Sequence, residues 1–423
     1  MPDQREESVR GRTSVELFAG GGGLAMAVHR AGFRPLLFNE HAKRACETLV
    51  ANGAEVIEEG RPLPIPAPGE PWPLRAGDVQ KVDFEYLEGK VDVLAGGPPC
   101  QPFSLGGVAK GDEDERNMFP QMFRAIREMK PKAVICENVR GLLRPSFKPY
   151  FDYILRELEL PFEERKEGAT WQEHDAVLRQ RIGEETEGST RRYTVIMTPV
   201  NAADYGVPQI RNRIIIVAFR ADLKVDVQRF KELVKPGFSE AALFHSMVSG
   251  EYWKSHKVPD AVRESVMARV PKVIPDPGDT KPWRTLRDAI AGIDGNKPLP
   301  RIPTEFLDRR EHLLGGFTDH IGWPDARIYP GHTPNELDRP AKTVKAGVHG
   351  VPGGESVMLL DDGTHRYMTV RETARVMTFP DDWKLQGPRG EKMRQLGNAV
   401  PVLLGEVFAK AVAGILREVE DRV

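Results

Sequence analysis

The sequence predicts an α/β fold, a doubly wound sheet covered by helices and followed by a second, irregular domain. Three observations carry that prediction. Across 13–219, short β-branched runs alternate with Gly or Pro breaks and with segments of helical spacing, the pattern of a parallel sheet with helices on its faces. The run Gly20-Gly21-Gly22-Gly23 follows the first strand and opens the first helix, where such folds bring backbone close to a ligand. Across 221–364 the alternation stops and prolines crowd between Pro271 and Pro340, which suits a loop-rich second domain.

The chain has 423 residues, enough for two structural units. With 40% apolar and 29% charged residues, 60 Lys+Arg against 62 Asp+Glu, it can bury large cores and is neither disordered nor supercharged. The net charge of −2 means that any polyanion must be held by a local basic surface that the total conceals. Cys46, Cys100 and Cys136 form no CxxC pair and have no His cluster beside them, so neither a disulfide framework nor a metal site is expected. The first twelve residues, MPDQREESVRGR, are charged, and no run of about 18 apolar residues occurs, so the expectation is a cytoplasmic protein without a membrane segment.

Taken in order, strands are expected at 14–18, 35–39, 91–94, 133–136, 193–200 and 214–219, with amphipathic helices at 24–31, 41–52 and 119–130. The stretch 163–192 is rich in Glu, Arg and Lys and reads as a solvated helical insertion. Regular patterning returns at Thr369-Val-Arg-Glu372, a capping box opening a helix through Met377 that Phe379-Pro-Asp-Asp382 stops; an apolar helix at 402–416 closes the chain. The expected domains are a catalytic domain at 13–220, a second domain at 221–364, and a return segment at 365–423 whose helix packs back on the first.

The chemistry gathers at the carboxyl ends of the strands. Glycine alone tolerates the close approach and dihedrals of the turn after Phe18-Ala19, and Glu40, twenty residues beyond Gly20, ends the second strand where a carboxylate can accept from both ribose hydroxyls. A Gly-rich surface turn with an ordinary exposed acid is the competing reading; the strand before and the acid after favour a nucleoside site. Asp78 can end the third strand in the same crevice and accept from an exocyclic amine. Gly96-Gly-Pro-Pro-Cys-Gln-Pro102 follows a strand, so Cys100 sits on a Pro-held turn and can act as a nucleophile if its thiolate is favoured. By contrast, Cys46 on a helix and Cys136 in a strand read as buried small hydrophobes. The polar stretch 105–116 suits a lid. Glu137-Asn-Val follows the strand at 133–136, and an acid beside a thiol suggests proton donation to a ring nitrogen. In Gln209-Ile-Arg-Asn-Arg213, Arg211 and Arg213 fall on one face of an extended segment and suit anionic or carbonyl oxygens; a solvated basic edge is the alternative. Gly397-Asn-Ala-Val-Pro401 reads only as a helix start.

Together these segments resemble the DNA (cytosine-5)-methyltransferase family, of the bacterial restriction-modification or Dcm-like type. The match spans 14–220 and 368–407, and it rests on Glu16-Leu-Phe-Ala-Gly-Gly-Gly-Gly, Pro98-Pro-Cys-Gln, Glu137-Asn-Val, Gln209-Ile-Arg-Asn-Arg, Arg371-Glu-Thr-Ala-Arg with Phe379-Pro, and Gly397-Asn-Ala-Val, six motifs in order. The resemblance implies a Rossmann-like S-adenosylmethionine-dependent methyltransferase domain with a target-recognition domain at 221–364. It implies methyl transfer from S-adenosyl-L-methionine to carbon 5 of a cytosine flipped from double-stranded DNA, leaving S-adenosyl-L-homocysteine. Cys100 would attack carbon 6, Glu137 would bond ring nitrogen 3, and Arg213, with Arg211 beside it, would hold the cytosine carbonyl. Implied cofactor contacts are Phe18, Ala19, Gly20, Gly22, Gly23, Leu24, Asn39, Glu40, Asp78, Val79, Pro99, Asn398 and Val400. Gly21, Ala42 and Met377 depart from the usual residues at their positions. A cognate restriction or phage-defence protein is an implied partner, and a monomer is the expected state. A tRNA methyltransferase of the same fold carries a Cys-Phe-Thr motif in its recognition region, and no cysteine follows Cys136 here. A silent DNA-binding regulator has no need of the Cys100, Glu137 and Arg213 set, and a methyltransferase for small molecules or proteins shares only the Gly-rich loop.

Overall fold

The computed structural model describes residues 11–99, 117–184, 188–292, 295–328, 330–346 and 356–422; Cys100 and the expected lid lie outside them. Two compact units emerge, Met1–Val200 with Asn212–Val234 and Gly405–Val423, and Asn201–Arg211 with Lys235–Leu404. These boundaries are not those at 220 and 364. Residues 201–211 join the second unit because Gln209 bridges Ala341 and Ile210 N–H donates to Ala341 O at 2.8 Å, pairings between segments more than 100 residues apart.

The first unit follows the alternation of the sequence: β1 (Thr13–Leu17), α1 (Gly23–Arg30), β2 (Arg34–Glu40), α2 (Lys43–Ala51), β3 (Ala54–Val56), β4 (Trp72–Ala76), β5 (Val93–Gly96), α3 (Phe119–Met129), β6 (Ala133–Val139), α4 (Lys148–Glu159), α5 (Trp171–Glu184), β7 (Tyr193–Asn201), β8 (Asn212–Arg220) and α6 (Val227–Leu233). The strands form one sheet in the order β3-β4-β2-β1-β5-β6-β8-β7. β1 pairs in parallel with β2 and β5, and β5 with β6, and all four strands are buried on both faces over most of their length. The sheet is mixed rather than wholly parallel, for β8 runs antiparallel to β6. The connection 202–211 is shorter than the dozen or more residues a parallel crossover requires, so β8 returns in the opposite sense.

α3 buries Phe119, Met122, Phe123, Ile126 and Met129, one face at three- and four-residue spacing, against Val15, Leu94 and Val134 of the sheet. The expected insertion is helical, as α5, but not simply solvated: His174, Asp175 and Leu178 are buried, and Leu178 joins the main core. Its polar composition hid this face, because two of its three buried residues are polar.

The second unit contains β9 (Phe238–Ser239), α7 (Glu240–Val248), α8 (Glu251–Ser255), α9 (Asp260–Met267), β10 (Lys281–Pro282), α10 (Leu286–Ala291), β11 (Asn335–Glu336), β12 (Val357–Leu359), β13 (His365–Tyr367), α11 (Val370–Val376) and α12 (Arg389–Asn398). Short strands and loops dominate, as the composition suggests. Capping boxes start α10, from Thr285 and Asp288, and α11, from Thr369 and Glu372. α13 (Val402–Glu420) closes the chain, four residues longer than the sequence pattern marks. By length and apolarity, the stretch Arg389–Glu420 suffices to cross a membrane; most of its apolar window is buried within the protein, as a core helix is.

Candidate active site

The Gly-rich turn opens as its sequence requires. Phe18, Gly20 and Gly22 all take positive φ, at 58°, 54° and 89°, and Gly22 caps α1 in the left-handed region. Strain at Phe18, which has a Cβ, is held by its neighbours: Ala19 N–H donates to Asn39 O at 3.1 Å and Gly22 N–H to Ala19 O at 2.9 Å. Glu40, buried at the end of β2, accepts from Gly20 N–H at 2.6 Å through Oε2 and from Ala42 N–H at 2.7 Å through Oε1. One backbone donor on each oxygen fixes the carboxylate in the plane of the turn and leaves lone pairs for hydroxyl donors.

Asn39 Nδ2 donates to Arg75 O at 2.9 Å and Gly77 O at 3.2 Å, tying β2 to the end of β4. Two residues past β4, Asp78 accepts from Gln80 N–H at 3.0 Å and starts a short 3-10 turn that contains Val79. The structure thus gathers Phe18 to Leu24, Asn39, Glu40, Asp78 and Val79 at the carboxyl ends of three neighbouring strands.

β5 leads into the proline turn beside β6. Gly96 pairs with Cys136, and a Cβ on Gly96 would stand 2.9 Å from Leu17 O, so only glycine fits there. A Cβ on Gly97 would meet both Glu137 O and Glu137 Oε2 at 3.7 Å. Asn138 Nδ2 then donates to Pro98 O at 3.1 Å, and Met118 N–H to Pro99 O at 3.3 Å. The backbone on which Cys100 follows is therefore seated against the Glu137 carboxylate.

Arg213 completes this cluster. β6 and β8 align Val139 with Arg213, and Arg213 Nε lies 2.8 Å from Glu137 Oε1 with both side chains mostly buried. The other two thiols are unsuited to attack: burial pushes Cys46, with Glu40 close by, and Cys136 up to about 12.

Arg211 does not join Arg213 at Glu137, contrary to the same-face expectation. It is 1% exposed in the second unit, where its guanidinium donates to Val344 O at 2.9 Å, Gly397 O at 2.7 Å and Ala399 O at 3.1 Å. Alternation along an extended segment holds only while the strand continues, and Arg211 precedes the start of β8. Gly397 ends up beneath the crossing backbone: a Cβ would stand 2.5 Å from Ala346 N. Gly397-Asn-Ala-Val is thus a helix end clamped by Arg211, where the sequence suggested only a helix start. Asn398 is exposed and Val400 buried, both in the second unit, whereas the other implied cofactor residues belong to the first. The charged residues of Arg371-Glu-Thr-Ala-Arg are structural: Glu372 pairs with Arg366, Arg375 with Asp381, and Arg371 donates to the Thr318 and Pro380 carbonyls.

Glu16 opens the Gly-rich motif, and no role of its own was expected of it. Glu16, 3% exposed in β1, has an Oε2 without a hydrogen-bond partner among the described residues. Burial, reinforced by the charge of Glu40 and opposed by a hydrogen bond from the Ala25 backbone, holds its carboxyl well above the ordinary carboxylate range. Its place in β1, just before the Gly-rich turn, was the available signal.

A family model described as C-5 cytosine-specific DNA methylase matches residues 12–160 and 178–414. The chain is 31% identical over 415 residues to the Type II methyltransferase M.PspPI of Psychrobacter sp., covering 97% of this chain and 81% of that protein. It is 30% identical over 426 residues to M.Eco47II of Escherichia coli, covering 100% and 83%. The crystal structure of S. pombe Dnmt2 methyltransferase shares the fold, with a TM-score of 0.54 at 16% identity over 97% of this chain and 99% of that one. With most of its length matched by that model and nearly all of it by these relatives, the chain belongs to the C-5 cytosine-specific DNA methylase family and is a DNA (cytosine-5)-methyltransferase.

Proposed function

We propose that the enzyme methylates carbon 5 of a cytosine flipped out of a specific double-stranded DNA sequence, through a covalent adduct with Cys100, as the modification half of a restriction or phage-defence system. One observation carries the assignment of the site: the Glu137–Arg213 pair at 2.8 Å, set against the glycine-proline turn that leads to Cys100.

Cys100, as thiolate, forms a bond to ring carbon 6 with its own electron pair, and the pair of the C5–C6 double bond shifts onto carbon 5. Glu137 holds a proton on ring nitrogen 3, so the charge that develops there is neutralised where it forms. Arg213 orients the Glu137 carboxyl from one side and offers its remaining N–H groups to the cytosine carbonyl oxygen. Once carbon 5 has taken the methyl group that S-adenosylmethionine would supply, with S-adenosyl-L-homocysteine as the leaving group, removal of the carbon 5 proton by a base re-forms the C5–C6 double bond and expels the thiolate.

The residues of the first unit fit S-adenosylmethionine. Glu40 has its carboxylate held by Gly20 and Ala42 N–H groups with acceptor capacity left for ribose hydroxyls; Gly20 and Gly22 keep the turn free of side chains; and buried Glu16 presents an unpartnered oxygen for a donor group. When bound, the cofactor supplies an electrophilic methyl carbon. Phe18, Asn39, Asp78 and Val79, at the carboxyl ends of the same strands, would hold the cofactor, Asp78 by accepting from an exocyclic amine. The second unit reads the target sequence, its Arg and Lys divided between phosphates and base edges.

Incubation with S-adenosylmethionine and mixed-sequence DNA, followed by nucleoside analysis, tests the proposal. It predicts 5-methyl-2′-deoxycytidine at one sequence context. Its absence with folded protein, or methylation of tRNA in preference to DNA, refutes it.

A further inference from the structure

The family model passes over residues 161–177, between its two matched segments. In the structure, that stretch supplies two side chains to a buried cluster on α4. Trp171, the first residue of α5, meets Tyr150 edge-on, with ring centroids 5.3 Å apart and planes at 82°, and lies 5.7 Å from Tyr153. His174 is 3% exposed and has both ring nitrogens engaged, Nδ1 with the Tyr153 hydroxyl at 3.1 Å and Nε2 with Glu163 O at 2.8 Å. A helix that merely covered surface would not bury an imidazole with two specific partners.

The other side of this cluster faces the reacting end of the sheet. Asn117 Nδ2 donates to the Tyr150 hydroxyl at 2.5 Å, and Asn117 Oδ1 accepts from Phe119 N–H at 3.4 Å, where α3 begins. Between them, Met118 N–H donates to Pro99 O, and Pro99 precedes Cys100. A contiguous set of contacts therefore runs from Trp171 through Tyr150 and Asn117 to the backbone that carries the thiol, all inside the first unit.

We propose that Trp171 is a positioning residue for methyl transfer, an addition outside the matched family segments that fixes Tyr150 so that Asn117 and Met118 hold the Pro99 backbone, one residue before the proposed nucleophile. The proposal rests on reading Cys100 as the nucleophile. Ring contacts at Trp171 and a hydroxyl bond at Tyr150 bear on the Pro99 backbone, not on how cofactor or DNA is gripped. Their loss moves the rate of the bound complex and not its formation.

The test is steady-state kinetics of Trp171→Ala, Trp171→Phe, Tyr150→Phe and Cys100→Ala, each with a melting curve. Misplacement of a reacting group by about an ångström costs up to about a hundred-fold in rate, so kcat should fall between about ten- and a hundred-fold in Trp171→Ala and Tyr150→Phe. KM for DNA and for S-adenosylmethionine should stay within about two-fold. Trp171→Phe, which keeps a ring against Tyr150, should recover most of kcat. The double variant Trp171→Ala/Tyr150→Phe should lose less than the product of the single losses, because both act on one contact. Wild-type kcat in folded Tyr150→Phe, or losses confined to KM, overturns the proposal, and Tyr150→Phe decides the matter if Trp171→Ala does not fold. Methyl transfer retained in Cys100→Ala instead overturns the nucleophile reading, so the two failures are told apart.

Discussion

Arg211→Ala should unfold part of the protein before it alters the chemistry. The guanidinium donates to three backbone carbonyls, those of Val344, Gly397 and Ala399, in a setting 1% exposed to solvent. Each buried carbonyl left unpaired costs about 1–3 kcal/mol, so three set a range of about 3–9 kcal/mol. Entry of water into the vacated volume relieves part of that, which places the expected loss near about 4 kcal/mol. For a transition involving roughly 150–250 residues, 1 kcal/mol moves Tm by about 2–4 °C, so the fall should be roughly 10 °C. Differential scanning calorimetry measures it directly. Arg211→Lys keeps the charge but loses the planar fork, and should fall between the two. A variant that melts at the wild-type temperature yet has lost kcat would refute the reasoning, since Arg211 would then act on substrate beside Arg213.

The buried Arg366–Glu372 pair should make stability depend on acid. Burial alone would raise Glu372, but the Arg366 guanidinium at 2.6 Å, aided by His320 and the Thr369 backbone N–H, reverses this and holds it at about 2, below its ordinary 4.5. A value depressed by folding contributes stability that is present above about pH 4.5 and is lost as pH falls toward 2. Urea unfolding at a series of pH values should show that loss in the wild type and a flatter profile in Glu372→Gln, which should also be less stable at neutral pH by about 3–5 kcal/mol because Arg366 is left unpaired; equal slopes would contradict the assignment. Glu40→Gln replaces one acceptor oxygen with a donor that cannot serve both the Gly20 and Ala42 N–H groups, and should weaken S-adenosylmethionine binding about ten-fold or more by titration calorimetry. Unchanged affinity would remove Glu40 from the cofactor site.

β2, β5, β6 and β8 were legible because each carries an unbroken run of at least three apolar residues, and α3 because its buried residues keep helical spacing. β3 and β4 were harder, being short and joined through 57–71, with six prolines between Pro62 and Pro73. Long-range pairing was invisible. Nothing local to Gln209-Ile-Arg211 says that it will join residues 341–344 and 397–399, so the partition of 201–211 and the clamp formed by Arg211 came only with the fold. The face of α5 that carries His174 and Asp175 was missed for a different reason: burial there is compensated by hydrogen bonds and ion pairs, which apolar periodicity does not register. Glu137 and Arg213 could be singled out from their positions at strand ends, yet their pairing depends on β8 running antiparallel to β6, which an expectation of parallel strands does not contain.

The central claim is that one thiol, that of Cys100, attacks the base while the other two stay buried and inert. It is tested most directly by comparing the wild type with Cys100→Ala for methyl transfer to DNA while measuring S-adenosylmethionine binding to both. Cys100→Ala should bind the cofactor with unchanged affinity and transfer no methyl group. Methyl transfer by Cys100→Ala at a rate near that of the wild type would contradict it.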